Sequence, residues 1–379
     1  MSELFQWLAS VPPLIQIPLV LMAFALLIAM ILGFVEVATK GGRGYTILRL
    51  LSAVLVPVVI LLFLGLYNSV MWVAVIAAVL GGIVFLVDRR SRDGAGSLLQ
   101  LTGFLAPALL LLAIGLIYPS LRTAVSAFMA NDGSGFVGLG NFIWVFTSPD
   151  GVTALLNTLV WVLVAPAVST IIGLAYAVFI DRSRGEKFFK LLVFMPMAIS
   201  FVGASIIFKF FYDVRQGEQI GVLNAIITAF GAKPVDWLGL EPWNTLFLVI
   251  ILIWTQAGFA MVILSAAIKG IPAEQLEAAE LDGATAWQRF ANVTLPGIRS
   301  SVIVVLTTIS IASLKVFDIV SSMTGGRSDT TVLAFEMVRQ FQLGARTGYS
   351  SALAVILFIL VLPIITYNVR QHKKQGGIR

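Results

Sequence analysis

The stretch "EQLEAAELDGATAWQRFANVTLPGIRS", residues 274–300, interrupts sequence that otherwise favours hydrocarbon. Before it runs "LFLVIILIWTQAGFAMVILSAAI" and after it "VIVVLTTISIASL". Between these apolar runs stand the acidic residues Glu274, Glu277, Glu280 and Asp282, together with Gly283 and Pro296. Pro272 can occupy the first turn of a helix, where its missing N–H costs nothing. From Ala273 the run "AEQLEAAELD" consists of good helix formers with acidic side chains early, as the helix dipole prefers. Gly283 suits the left-handed turn that ends such a helix. "ATAWQRFANV" restarts helically, and Pro296 closes the unit before the next apolar run. Leu276, Ala279 and Leu281 on the first helix, with Trp287, Phe290 and Val293 on the second, are expected to supply its apolar contacts. The stretch reads as a helix–glycine–helix elbow lying on a membrane surface.

The composition around the elbow agrees with that setting. Of 379 residues 59% are hydrophobic and only 12% charged, about half the charged share of a soluble domain. Formal net charge is +6, yet Lys and Arg fall in short clusters between apolar runs rather than along a polar face, which excludes a nucleic-acid reading. The absence of cysteine rules out disulfides, thiolate metal sites and cysteine nucleophiles. The start, "MSELFQWLAS", lacks the basic opening of a secretory signal, so no cleavage is expected.

A helix crosses a ~30 Å hydrocarbon core in roughly 20 apolar residues, which gives about nine spans here, with about eight possible. They are expected near residues 14–37, 47–67, 70–87, 101–124, 154–180, 191–211, 245–268, 302–323 and 351–369. The fold class is therefore an all-α membrane protein, a polytopic helical bundle. The loops "TKGGRGYTILR", "DRRSRDG" and "DRSRGEKFFK" and the tail "RQHKKQGGIR" hold most of the positive charge. They fall on the elbow's side and place it, with the C-terminus, in the cytoplasm. "DRRSRDGAGS" reads as a hinge, dividing an N-terminal unit of about three spans (1–97) from a core of about six (98–379).

The elbow has a further pattern: Glu277-Ala278-Ala279, then Gly283, a gap, and Val293, Leu295 and Pro296. This resembles the EAA loop of permease subunits in binding-protein-dependent ABC importers. "GLGNFIWVFTSP", "FMPMAIS", "KVFDIVSSMTGG" and "GYSSALAVILFIL" also look like the carbohydrate-importer branch, of maltose or α-glucoside type. The likeness covers about residues 101–379. It implies an ATP-driven sugar importer in a bacterial-type inner membrane, with this chain as half of the pore. It also implies a second permease subunit, two copies of a cytoplasmic ATPase that holds ATP and Mg, and an extracytoplasmic sugar-binding protein. Carried over by motif, residues 272–296 couple to the ATPase through Glu277, Ala278, Ala279, Gly283, Val293, Leu295 and Pro296. Asp282 is a second acidic candidate there, or a cap. The maltose permease it otherwise resembles carries a large periplasmic domain where this chain has only residues 122–153.

No phosphate loop of the G-x-x-x-x-G-K-[ST] kind occurs, so this chain is expected to hold no cofactor or metal and to catalyse nothing itself. Four residues are candidates for a sugar pathway. Gln256 and Phe259 stand three apart in the seventh span, an amide and an aromatic face suited to a sugar ring, or to plain interhelical packing. Lys315 and Asp318 are three apart in the eighth, hence on one helix face, either lining the pathway or forming an ion pair. Asn157 and Thr158 read as bonds between helices, and residues 324–350 as an external stretch with a helix near 331–342. An ion- or proton-coupled secondary transporter is the alternative; it needs a midplane carboxylate relay or interrupted helices in inverted halves, and neither is evident.

Overall fold

The computed structural model describes residues 112–181, 183–214, 221–344 and 346–376. The first three expected spans, residues 101–111 of the fourth, and the 1–97 unit lie outside them. Residues Ser120–Arg379 form one compact unit, and its described residues are mainly helical, with an isolated bridge between Met129 and Phe136.

The elements are α1 (Tyr118–Ser126), α2 (Gly140–Thr147), α3 (Pro149–Ile180), α4 (Glu186–Phe194), α5 (Phe201–Tyr212) and α6 (Val222–Ala229). They continue as α7 (Asn244–Lys269), α8 (Ala273–Leu281), α9 (Ala286–Arg289), α10 (Arg299–Leu314), α11 (Asp318–Met323), α12 (Leu333–Gln342) and α13 (Thr347–Gly376). Three stretches are long and apolar enough to cross a membrane: α3, α7 and Thr347–Asn368 of α13. They answer to the expected spans 154–180, 245–268 and 351–369. The start of α3 is written in its sequence. Ser148 accepts from Gly151 N at 3.1 Å, Pro149 follows, and Asp150 sits in the first turn, all signals that satisfy or complement the free N–H groups of a helix start.

Two expected spans are broken. The span 191–211 divides into α4 with a 3-10 turn, Met195–Ala198, and α5, bent by 102°. Pro196 lacks an N–H and Ser200 is extended (ψ 152°), capping α5 by accepting from Gly203 N, so the chain stops one helix and starts another. The span 302–323 ends at Leu314, where Lys315 N and Val316 N bond three residues back, to Ala312 and Ser313. α11 then restarts at Asp318. No Gly or Pro marks that break; the turn buries Val316, Ile319 and Val320 in the core, and packing overrides the apolar run.

α7 is the spine. In hydrocarbon, apolar burial does not drive helices together, so close approach and dispersion must. Small residues allow it. Ala165, Ser169, Gly173 and Ala177 recur every fourth residue along α3, and all are buried. A Cβ on Gly173 would stand 2.4 Å from Ala260 Cβ and 2.7 Å from Met261 N of α7. On another side of α7, a Cβ on Gly258 would stand 2.4 Å from Val193 O at the end of α4. Neighbouring pairs fix direction. Asn157 meets Thr245, Gly173 meets Ala260 and Asp181 meets Ser265, so α3 runs parallel to α7. α4 runs antiparallel, because Glu186 meets Lys269 while Val193 meets Gly258.

Candidate coupling elbow and transport pathway

α7 ends at Lys269, and Gly270 N closes its last turn on Ala266 O. Pro272 stands just outside α8 as its N-cap (φ −54°, ψ 132°), one position earlier than the sequence suggested. α8 carries Glu277-Ala278-Ala279 and ends as expected: Gly283 has φ +75°. Its N–H donates to Glu280 O, and Ala284 N donates to Ala279 O, both at 3.0 Å. This pair of bonds is the Schellman arrangement, which closes a helix through a left-handed residue. Nothing lies within 4 Å of where a Gly283 Cβ would stand, so the dihedral alone calls for glycine there.

The return arm is capped as tightly. Thr285 Oγ1 accepts from Gln288 N at 3.3 Å while Gln288 Oε1 accepts from Thr285 N at 2.8 Å, a reciprocal capping box. Arg289 pairs with Glu280 at 2.7 Å, tying the two arms together. A π-helical turn, Phe290–Thr294, and a short turn, Leu295–Gly297, then lead into α10 across a 67° bend. Gly297 comes back against Ile271, its notional Cβ 3.4 Å from Ile271 Cδ1, so the elbow closes on its own root.

Its apolar residues divide differently from the expectation. Leu276, Ala279, Phe290 and Val293 are half-buried, but Leu281 is 89% and Trp287 73% exposed. Those two face outward with the exposed Glu277, Ala278 and Asp282. Leu295 and Pro296 are exposed as well. The outer face of the elbow is therefore apolar and small, with carboxylates at its edge.

The four pathway candidates separate. Gln256 and Phe259 stay one turn apart on α7, both half-buried, and Phe259 packs beside a cluster containing Met261, Leu264 and Ile309. Lys315 and Asp318 do not share a helix face: Lys315 caps the end of α10, Asp318 opens α11, and both are exposed. Three residues apart means one face only while the helix continues, and it stops between them. Asn157 and Thr158 do bond between elements. Asn157 Nδ2 donates to Asp329 O (2.6 Å) and Thr331 O (2.8 Å), and Leu333 N donates to Thr158 Oγ1 at 2.9 Å. Asn244 Nδ2 holds Ser328 O from α7. These bonds clamp a loop in which Gly325, Gly326, Ser328 and Asp329 all have positive φ. Beside the clamp is an open cavity of about 290 Å³, lined by Thr153, Asn157, Glu241, Asn244 and Asp329 among others. It lies at the N-terminal ends of α3 and α7, away from the elbow.

Two polar clusters escaped the sequence reading. In α12, Glu336 is fully buried: Gln340 Nε2 donates to it at 2.6 Å and Arg339 Nη2 at 3.1 Å. Arg339 also reaches Asp150 at the start of α3. The spacing Glu336, Arg339, Gln340 was legible as one helix face; its burial was not. At the elbow end, Lys190 of α4 contacts Asp181, Glu186 and the buried Ser265 of α7. Ser265 Oγ lies 2.8 and 2.9 Å from the two Asp181 oxygens. Lys269 meets Glu186. In sequence these charges read only as topology signals.

Comparison with known proteins places this geometry. The family described as "Binding-protein-dependent transport system inner membrane component" matches residues 169–375, from the second half of α3 through α13. The alpha-glucoside transport system permease protein AglF of Rhizobium meliloti (strain 1021) is 47% identical over 277 residues, 72% of this chain and 82% of that protein. The osmoprotective compounds uptake permease protein GgtC of Synechocystis sp. (strain ATCC 27184 / PCC 6803 / Kazusa) is 46% identical over 73% of this chain and all of that one. The fold is that of a chain in the crystal structure of a bacterial alginate ABC transporter in complex with an alginate pentasaccharide-bound periplasmic protein. There the TM-score is 0.61 at 24% identity, covering 71% of this chain and 92% of that one.

Proposed function

The chain belongs to the family of binding-protein-dependent transport system inner membrane components, and on that premise we propose that it is a permease subunit of an ATP-driven sugar importer. It forms half of a pore with a second permease subunit. The sugar is of the α-glucoside class, as in the name of AglF. The elbow lies in the cytoplasm, a reading that the positive-inside bias of the loops supports, and docks on one copy of a dimeric ATPase that supplies ATP and Mg. A sugar-binding protein delivers substrate to the opposite end, where the clamped loop and its cavity open. Residues 98–379 make the pore core and residues 1–97 a separate N-terminal unit.

The observation that carries this reading is the outward face of the elbow. Glu277 and Leu281 are one turn apart on α8, Ala278 and Trp287 flank them, and all four are exposed. An exposed apolar patch rimmed by charge is a docking surface for another protein, and here the chain builds it with two caps, an ion pair and a left-handed glycine. Gln256 and Phe259 on α7 line the pathway; Lys315 and Asp318, at the α10–α11 break, mark its wall at two separate helix ends.

Co-expression with the neighbouring transporter genes, followed by purification through a tag on this chain, tests the reading. An ATPase, a second permease and ATP hydrolysis stimulated by the binding protein with maltose or trehalose are expected. An isolated chain that carries sugar on an ion gradient without ATP would establish the secondary transporter instead. Stimulation by osmoprotective solutes but not by α-glucosides would keep the importer and replace its substrate.

A further inference from the structure

α4 is fastened to α7 at both ends. At its far end the Val193 carbonyl and Phe194 press on Gly258, where no side chain would fit. At its near end Lys190 Nζ reaches Ser265 Oγ of α7 and Asp181, the C-cap of α3, together. Lys269, in the last turn of α7, meets Glu186 in the first turn of α4. Ser265 is 3% exposed, and its hydroxyl joins the C-terminal end of α3 to α4. Lys190 belongs there electrostatically, because the parallel helices α3 and α7 both bring the negative ends of their dipoles to this level. Only Gly270, Ile271 and Pro272 separate Lys269 from α8, so the cluster sits at the root of the elbow. On its other side, α4 leads through the 102° bend into α5.

We propose that Asp181, Lys190 and Ser265, extended by Glu186 and Lys269, form a positioning clasp for transport. It makes α4 and the C-terminal half of α7 one body with the root of the elbow. A displacement of the elbow then reaches α5 through the bend, rather than dissipating in the Gly270-Ile271 link. The inference rests on the coupling role of the elbow and adds its transmission route. It makes Lys190 and Ser265 positioning residues that touch neither the ATPase nor the sugar.

The test uses the assembled transporter with cysteine-free partner subunits; this chain has no cysteine of its own. Spin labels go on the exposed positions Gln275, Lys187, Phe210 and Gln342, two at a time, and distances are read before and after ATP with vanadate. The 275–342 and 210–342 distances are expected to change, while 275–187 stays constant. In Lys190→Met, and in the smaller change Ser265→Ala, the 275–342 change persists, the 275–187 distance broadens and the 210–342 change is lost. Lys190→Arg restores all three patterns. A 275–187 distance that changes in the unsubstituted complex overturns the clasp, as does Lys190→Met leaving the 210–342 change intact. An elbow that stays still against 342 in an active complex overturns instead the coupling role beneath it.

Discussion

At Gly283 the residue scale is unusually clean. With φ +75° and open space around the missing Cβ, substitutions report backbone preference and nothing else. An L-residue in this region costs roughly 1–2 kcal/mol, and Asn tolerates it better than others. Gly283→Val is expected to uncouple transport from ATP hydrolysis, Gly283→Ala to do so partly, and Gly283→Asn to stay near wild type. Transport per ATP across the three variants checks the order; side-chain size acting through a clash would put Asn beside Val. Glu336 gives the opposite case, a carboxylate whose neighbours are fixed. Glu336→Ala leaves the buried Gln340 amide without its acceptor and removes one of the two carboxylates on Arg339, which keeps Asp150, a loss of about 1–3 kcal/mol for an unsatisfied buried group. Glu336→Gln keeps the shape and one acceptor. Thermal unfolding in detergent is expected to rank them wild type, Gln, Ala. Arg339 Nε lies 2.9 Å from Glu336 Oε2 yet outside hydrogen-bonding direction, so the Nη2 contact holds the pair.

Elements are joined here by what their surfaces lack. α3 meets α7 at Gly173, one of a run of small buried residues, Ala165, Ser169, Gly173 and Ala177, a period of four visible in the sequence once its meaning is known. Gly173→Ala must push the helices apart, because its Cβ would meet Ala260 Cβ at 2.4 Å. The loss is of the order of 1–3 kcal/mol, as for overpacking elsewhere, and the paired change Gly173→Ala with Ala260→Gly is expected to recover most of it. Unfolding temperatures of the single and double variants decide this. Equal temperatures for both would mean that the contact does not set the helix separation. The same close approach brings Asp181 level with Ser265, so the α3–α7 contact also sets the register of the clasp.

At the largest scale, the described bundle is built differently at its two ends. One end holds the elbow, whose outer face presents Glu277, Ala278, Leu281 and Trp287. The other holds the clamped loop and its cavity, on the far side of cores centred on α7. Reversing charge at the first end should not disturb the second. Glu277→Lys is therefore expected to leave membrane insertion, folding and partner-permease pairing intact while abolishing sugar-stimulated ATP hydrolysis. Protease resistance of the assembled complex, measured beside its ATPase activity, checks both halves. Loss of both together would make Glu277 a structural residue.

What the amino-acid sequence determined by itself is local: which stretches dissolve in hydrocarbon, where α3 starts, where α8 ends, and that an acidic elbow stands between two apolar helices. These follow from rules that act within a few residues, namely apolar length, capping and the dihedral freedom of glycine. The tertiary structure alone decided the rest. It ended α10 at Leu314, with no Gly or Pro to announce it, because the turn buries Val316, Ile319 and Val320. It turned Leu281 and Trp287 outward, and it split Lys315 from Asp318. It also brought Asp181 and Lys190 to Ser265, more than seventy residues along the chain. Such partners meet only after Gly173 and Gly258 have fixed how closely, and in which register, α3 and α4 lie against α7.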